Sequence, residues 1–345
     1  MSAPTQAKHQ SAALEAARGG DEGAFERVIE PFRRELQAHC YRMLGSAHDA
    51  EDALQETLLR AWRGLSGFEG RSSLRAWLYR IATNVSLRVI ERRPKRLLPV
   101  DYGPAGDPHA EPDPPLTESV WVEPYPDEAI ADGRSSPEAR YEQRESVELA
   151  FVAALQHLPA RQRAVLLLRD VLGFEPTEIA EALDATPASV YSALQRAHAA
   201  IDEKLPERSQ QETLRSIDDE RLREVTARFV AAWESNDING LVAMLTEDAV
   251  VSMPPRPSWY RGREEIAAFL ARHPMAPEER WRLVAIRANG QPAFAMYGLE
   301  DDGAWRAHAI EAFTVDDEAR ITAITAFLEP ELFRHFGLPD ELPTD

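Results

Sequence analysis

The sequence predicts a multidomain protein: two all-α domains, the second carrying a helix-turn-helix, followed by an α+β domain. Three observations predict this. Apolar residues recur at helical spacing through residues 10–93 and again from Glu138 to about Leu205. Between these stretches, residues 94–137 hold 10 of the 25 prolines and almost no periodicity. From Ile217 the pattern becomes two helices followed by strand-length runs. A length of 345 residues accommodates two or three such domains.

Phe25, Val28, Ile29, Phe32 and Leu36, then Ala50, Ala53, Leu54, Thr57, Leu58 and Ala61, form the apolar faces of two amphipathic helices. The stretch Gly64 to Ser73 is a glycine- and serine-rich loop. Ser72-Ser73 caps a helix from Leu74 to about Arg93, which Pro94 ends. Within the proline-rich segment, Trp121 to Asp127 is unusually aromatic and reads as a small docking patch. Ser136-Pro137-Glu138 begins the next helical stretch, with a capping serine and proline at the first helical position. Helices follow over residues 141–157 and from Ala160 to Val171. Pro176 to Leu183 and Pro187 to about Leu205 then flank a short turn, with Ile179, Leu183, Val190 and Leu194 at core spacing, which suggests a helix-turn-helix. The α+β domain reads as helices Asp218–Ser235 and Ile238–Leu245, a strand Ala249–Met253, and a helix near Arg263–Arg272. Four strands of a curved antiparallel sheet complete it, with hairpin turns at Asn289-Gly290 and Asp301-Asp302-Gly303.

Composition excludes several classes. The longest aliphatic run, Ala164 to Leu168, is far shorter than the roughly 20 apolar residues of a membrane span, and Met1 to Gln10 lacks a signal-peptide core. Cys40 is the only cysteine. It permits no internal disulfide and no cysteine metal cluster, fits a cytosolic location, and belongs to the core by its spacing from Leu36. The net charge of −19 divides as +4 over residues 1–96, −8 over 97–137, −4 over 138–206 and −11 over 207–345. Phosphate neutralisation supplies most non-specific DNA affinity, so a chain this acidic needs another source of grip if it reads DNA.

Three blocks carry a family resemblance. Asp49-Ala50-Glu51-Asp52-Ala53-Leu54-Gln55-Glu56-Thr57-Leu58-Leu59-Arg60-Ala61-Trp62 resembles the polymerase-binding helix of extracytoplasmic-function sigma factors. Phe68 to Asn84 resembles that family's promoter-melting segment. Leu158 to Val165, followed by Glu178-Ile179-Ala180, resembles its second DNA-binding domain. The tail from residue 217 resembles a SnoaL-like domain, the cone-shaped fold shared with nuclear transport factor 2, on the order of its elements. Trp121–Asp127 resembles a linker motif in one subgroup of sigma factors with such tails. The resemblance implies a bacterial transcription initiation factor built of sigma region 2 (residues 10–96), an acidic linker (97–137), sigma region 4 (138–206) and a SnoaL-like regulatory domain (217–340). Its partners would be promoter DNA and the clamp coiled coil of core RNA polymerase, with an intramolecular contact of the tail with the sigma domains and no membrane.

The residue types fit those roles. Asp49, Asp52 and Gln55 lie three apart on one helix face. With Glu51, Glu56 and the family's Trp62 they make an acidic surface for a basic partner. Opening the −10 element needs aromatic platforms, a polar edge reader and cations. Trp77, Tyr79, Arg80, Asn84 and Arg88 supply these, with Trp77, Arg80 and Asn84 on one face. Arg92, Arg93, Lys95 and Arg96 are placed to touch phosphates. For the −35 element, Ser189, Tyr191, Ser192, Gln195 and Arg196 face away from the Val190/Leu194 core behind the capping Thr186. Tyr191, His198 and Glu175 depart from the family pattern, so the promoter sequence is not readable here.

No catalytic group, metal ligand or cofactor is expected. In the tail, Asp248, His308 and Glu311 are the polar candidates. His308 and Glu311, three apart on a strand, should point to opposite faces, which argues against a dyad. Trp233, Trp259, Tyr260, Phe294 and Trp305 line either a pocket or the core. The segment Glu207 to Ser216 reads as a short tether. Two rival readings stay open: a stand-alone helix-turn-helix regulator, and an enzyme of the SnoaL-like fold fused to a DNA-binding module.

Overall fold

The computed structural model describes residues 12–116, 120–130 and 145–343. The helix start expected at Ser136-Pro137-Glu138 and the first part of the helix expected over residues 141–157 lie outside these. The chain divides into two compact units. One comprises Met1–Arg93, Ala129–Ser136 and Leu155–Glu203; the other comprises Pro94–Glu128, Pro137–Ala154 and Lys204–Asp345.

The first unit is helical. α1 (Glu22–Leu44) starts at Asp21, whose carboxylate accepts from Ala24 N at 2.9 Å, and stops at Gly45, whose φ of 69° allows the left-handed cap. Ser46 caps α2 (Ala47–Gly64) through Asp49 N, and Ser73, as the sequence predicts, caps α3 (Leu74–Ile90) through Ala76 N. These helices bury Ile29, Leu36, Cys40, Tyr41, Leu54, Leu78 and Ala82. Burial pushes the Cys40 thiol up to about 12, so it is an inert core residue. His39, fully enclosed, is held neutral at about 3 and meets Thr83 Oγ1 at 2.9 Å.

After α4 (Leu149–Gln156), α5 (Ala160–Leu166) continues into a π-helical turn, Leu167–Val171. α6 (Pro176–Ala182) and α7 (Pro187–Asp202) then form the helix-turn-helix, with Asp184 at φ 50° in the turn. Arg163 fastens the start of this segment to the end of α1. Its guanidinium donates to the carbonyls of Met43, Gln156 and Leu158 and to the Gln156 side chain. It is buried, and desolvation lowers its pKa to about 10, which leaves it charged at neutral pH.

The second unit is an α+β cone. Its sheet runs β2-β1-β6-β5-β4-β3, with β1 (Leu245–Ser252), β2 (Trp259–Arg261), β3 (Trp281–Ala288), β4 (Gln291–Leu299), β5 (Trp305–Val315) and β6 (Ile321–Phe327); β7 (Glu341–Leu342) adds to β5. β3 to β6 pair antiparallel in sequence order, as expected, while β1 pairs with β6 in parallel, so the sheet as a whole is mixed. The hairpin at Asn289-Gly290 is as predicted: both residues have positive φ, 55° and 73°. A helix, α9 (Asp219–Glu234), crosses the concave face and stacks Phe229 on Phe294 at 5.2 Å.

The connecting segments carry more fixed structure than their sequence pattern shows. Glu207 to Ser216 is not an unstructured tether: α8 (Gln210–Ser216) occupies most of it, capped by Ser209. The Glu148 carboxylate accepts from Gln210 N at 3.1 Å and Gln211 N at 2.6 Å. The described residues of the acidic, proline-rich segment up to Glu128 pack against the cone, the Trp121–Asp127 docking patch among them. Trp121 Nε1 donates to Pro255 O at 2.9 Å; Tyr125 N reaches Asn289 Oδ1 and Asn289 N reaches Tyr125 O, both at 2.8 Å; Asp127 accepts from Gly290 N at 2.7 Å. Trp259 Nε1 donates to Gly103 O at 2.8 Å, and Gly106 lies so close to Tyr260 that a Cβ there would sit 3.2 Å from the ring. The absence of periodicity reported a lack of regular structure, not a lack of fixed structure, because these backbone groups pair with side chains and turns of the cone.

Candidate nucleic-acid interface and cone cavity

On α2, Glu51, Asp52 and Gln55 are exposed, and Glu56 is half-buried beside Arg60. Asp49 does not share that surface. It is 2% exposed and ion-paired with Arg93, which lies just past the end of α3. The three-residue spacing carried no information about a partner arriving from another helix. Trp62 is half-buried, edge-on to Phe25 at 5.1 Å.

On α3 the expected −10 residues separate into two groups. Arg80, Arg88, Arg92 and Arg93 are exposed, although Arg93 is engaged by Asp49. Trp77 is half-buried against Phe68, ring centroids 5.1 Å apart. Tyr79 is no platform in this arrangement: it is 1% exposed, its hydroxyl donates to Glu35 at 3.2 Å, and its ring meets Phe174 edge-on at 5.5 Å. Arg75, which sequence reasoning passed over, places its guanidinium 4.8 Å from the Phe174 ring and donates to Leu172 O at 3.2 Å. The Asn84 amide donates to Arg80 O at 2.9 Å and to Ala182 O, in the helix-turn-helix, at 3.4 Å. Asn84 is thus hydrogen-bonded within its own unit. Arg96, placed with the phosphate contacts by its position in a basic run, instead is buried in the second unit, donating to Trp121 O at 2.7 Å and pairing with Glu123 at 3.2 Å.

On α7 the spacing argument translates directly into exposure. Val190, Ala197 and Ile201 are buried and Leu194, expected in the core, is half-buried, while Thr186, Ser189, Tyr191, Ser192, Gln195 and Arg196 are all exposed, Tyr191 at 57%. Thr186 and Ser189 form a reciprocal capping box that fixes the first turn. Glu175, the departure at the preceding cap, still makes a capping box with Glu178.

The cone encloses a cavity of about 430 Å³. Trp233, Phe269, Trp281, Met296 and Ile324 give it apolar walls; Glu311 and His308 are its polar members on β5, and Glu111 and Pro112 of the docked segment also line it. His308 and Glu311 therefore share the cavity, against the alternation expected on a strand. The reason is a bulge. Met296 pairs with Ala309 and Tyr297 with Ala307, so His308 is skipped in the ladder and re-aimed. Asp248 is exposed and takes no part. Of the five aromatics considered for a pocket, Trp233 lines it, whereas Trp259, Tyr260, Phe294 and Trp305 do not; Trp281 was missed. Glu311 is 2% exposed, and burial pushes its carboxyl up to about 8.

Among known proteins, the Sigma-70 region 2 model matches residues 28–96, the Sigma-70 region 4 model residues 148–201, and the SnoaL-like domain model residues 226–324. The chain is 46% identical over 327 residues to the ECF RNA polymerase sigma factor SigG of Mycobacterium tuberculosis, covering 93% of this chain and 85% of that protein. The chain belongs to the extracytoplasmic-function RNA polymerase sigma factors. As a member of that family, it serves promoter-specific initiation of transcription and carries a SnoaL-like C-terminal domain. The RNA polymerase sigma-H factor of Pseudomonas aeruginosa is 31% identical over 192 residues, 56% of this chain and 91% of that protein. The crystal structure of the Mycobacterium tuberculosis sigma factor SigJ has the same fold, with a TM-score of 0.57 at 21% identity over 90% of this chain and 98% of that one. The sigma factor relatives indicate a regulator rather than an enzyme, on a C-terminal fold that is enzymatic in some other proteins.

Proposed function

We propose that this sigma factor engages the clamp coiled coil of core RNA polymerase in the cytoplasm through the exposed α2 face Glu51, Asp52 and Gln55, flanked by Glu56 and Trp62. Promoter reading divides between α3 and α7. Arg80, Arg88 and Arg92 meet the backbone near the −10 element, Asn84 reads a displaced base, and Trp77 supports the melted strand. Gln195 and Arg196 contact base edges at the −35 element, with Ser189, Tyr191 and Ser192 beside them. The observation that carries the reading is the clean division of α7 into a buried apolar stripe and an exposed polar face.

Asn84 cannot read a base while its amide is held by Ala182 O. Initiation therefore requires α3 to part from the helix-turn-helix, breaking the Arg75–Leu172 and Tyr79–Phe174 contacts. Core polymerase supplies that opening by binding the separated form better. The C-terminal domain, with its docked segment, tunes the number of molecules that open. Run-off transcription with core polymerase tests this, comparing the full chain with a truncation after Pro206. The truncated form should still bind core polymerase but give altered output, and identical output across promoters and salt would remove the regulatory role.

A further inference from the structure

We infer that Tyr191 is a specificity-determining residue of α7, reading the C5-methyl group of a thymine in the −35 element with the face of its ring. The inference rests on α7 being the −35 reader and names what one side of that helix recognises. Three observations carry it.

The first is charge. α7 runs from Pro187 to Asp202 with a single arginine, Arg196, and no lysine. Its histidine, His198, is turned to Asp170 of its own unit at 2.7 Å. A helix this poor in cations neutralises few phosphates, so most of its hold on a site comes from base edges.

The second is placement. Ala188, Tyr191 and Gln195 stand at i, i+3 and i+7, share one face of α7, and are all exposed. Tyr191 is the most exposed large hydrophobic side chain among the described residues. Among those residues no hydrogen bond, ion pair or ring contact engages it. Its backbone, by contrast, is fixed: Val190 beside it is buried, and the Thr186–Ser189 capping box sets the turn before it. A held backbone thus presents a free aromatic ring.

The third is the neighbour. The Gln195 amide matches the N6 and N7 edge of adenine. Tyr191 precedes it by four residues, roughly 6 Å along the helix axis, which is less than two base-pair steps of about 3.4 Å. In the major groove an A·T pair offers one apolar group, the thymine methyl. A ring one helical turn from an adenine-reading amide therefore fits a thymine close to that adenine. Cytosine presents an amino donor there, which the face of the ring cannot satisfy.

The test uses holoenzyme assembled from core polymerase and the full chain. From a pool of duplexes randomised over both promoter elements, wild-type holoenzyme should recover sequences with a fixed thymine in the −35 element, beside or one removed from a fixed adenine. Replacing the fixed thymines one at a time by deoxyuridine should weaken binding at one of them about fourfold, the effect of one buried methyl. That factor should be the same at low and high salt, because no phosphate contact is lost. Tyr191→Ser should bind the thymine and deoxyuridine duplexes equally, whereas Tyr191→Phe should keep the wild-type preference. Equal binding of both duplexes by wild type, a preference that survives Tyr191→Ser, or one that disappears in Tyr191→Phe would overturn the role of the ring. Recovered duplexes with no fixed base in the −35 element would instead remove the −35 reading of α7, and this role with it.

Discussion

The helical unit presents its candidate contact residues on exposed helix faces, whereas the cone holds a buried carboxyl, Glu311, on its concave face. On α7 and α2 the polar residues cost nothing to hold in solvent, and their use depends on a partner arriving. In the cone, Glu311 is held away from water, beside a cavity of the concave face. The two designs fail differently. Surface changes in the helical unit should alter binding and leave folding intact. Interior changes in either unit should alter stability first.

The largest effect expected from that contrast lies at Arg163. Removing its side chain strands the Met43, Gln156 and Leu158 carbonyls in the interior. Arg163→Ala should therefore destabilise the helical unit by about 3 kcal/mol or more in urea unfolding followed by far-ultraviolet circular dichroism. A loss within experimental error would show that the helix-turn-helix segment is not fastened there.

In the cone, Asn289 is the corresponding anchor. It exchanges two hydrogen bonds with Tyr125, donates to Val147 O at 2.7 Å, and holds φ at 55°. Asn289→Ala loses the side-chain bonds and strains the turn, for about 2 kcal/mol in all. Hydrogen exchange of residues 120–128 should speed up well before the sheet opens. Uniform acceleration across the whole unit would mean that the segment is not separately anchored.

The pH dependence of the cone follows from two buried carboxyls. Burial raises Glu148 to about 7 and Glu311 to about 8, from 4.5 in the unfolded chain. The folded state then binds more protons than the unfolded state between these limits, so stability is highest at the acid end and falls as pH rises. Between pH 6 and pH 8 the loss attributable to Glu311 is about 2 kcal/mol. Thermal unfolding of wild type against Glu311→Gln should show a flatter profile in the variant; parallel profiles would mean that Glu311 is solvated.

Smaller effects belong to the exposed faces. Arg196→Ala should relax discrimination at one −35 position by roughly 1–3 kcal/mol in competition binding by holoenzyme, with unchanged melting temperature. Asp52→Lys should weaken core-polymerase binding several-fold with helical content intact, whereas Asp49→Lys, at a buried ion pair, should reduce the stability of the helical unit. Equal behaviour of the two variants would erase the distinction between the exposed and buried members of the α2 block.

The same contrast explains what the sequence made legible. Helical periodicity located α1 to α3 and the exposed side of α7, because a 3.6-residue repeat maps spacing directly onto a face. It misplaced Asp49 and Tyr79, whose burial is decided by Arg93 and Phe174 on other elements. In the cone, strand length and turn residues located β3 to β6, but strict alternation misjudged His308, because a bulge is a property of the pairing rather than of either strand. The aromatic run Trp121–Asp127 marked a docking patch, but proline content hid what it docks on, since Tyr125 and Asp127 gain their partners only once the Asn289-Gly290 turn exists and Trp121 reaches Pro255. Long-range pairings of this kind leave no local period to read.

The central claim is that promoter-specific initiation resides in the polar residues of α2, α3 and α7, with Asn84 freed from Ala182 on opening, and permanganate footprinting of a promoter with holoenzyme tests it most directly. Holoenzyme carrying Asn84→Ala should bind core polymerase and occupy the −35 element like wild type, yet leave −10 thymines unreactive. Full permanganate reactivity with that variant would contradict the account.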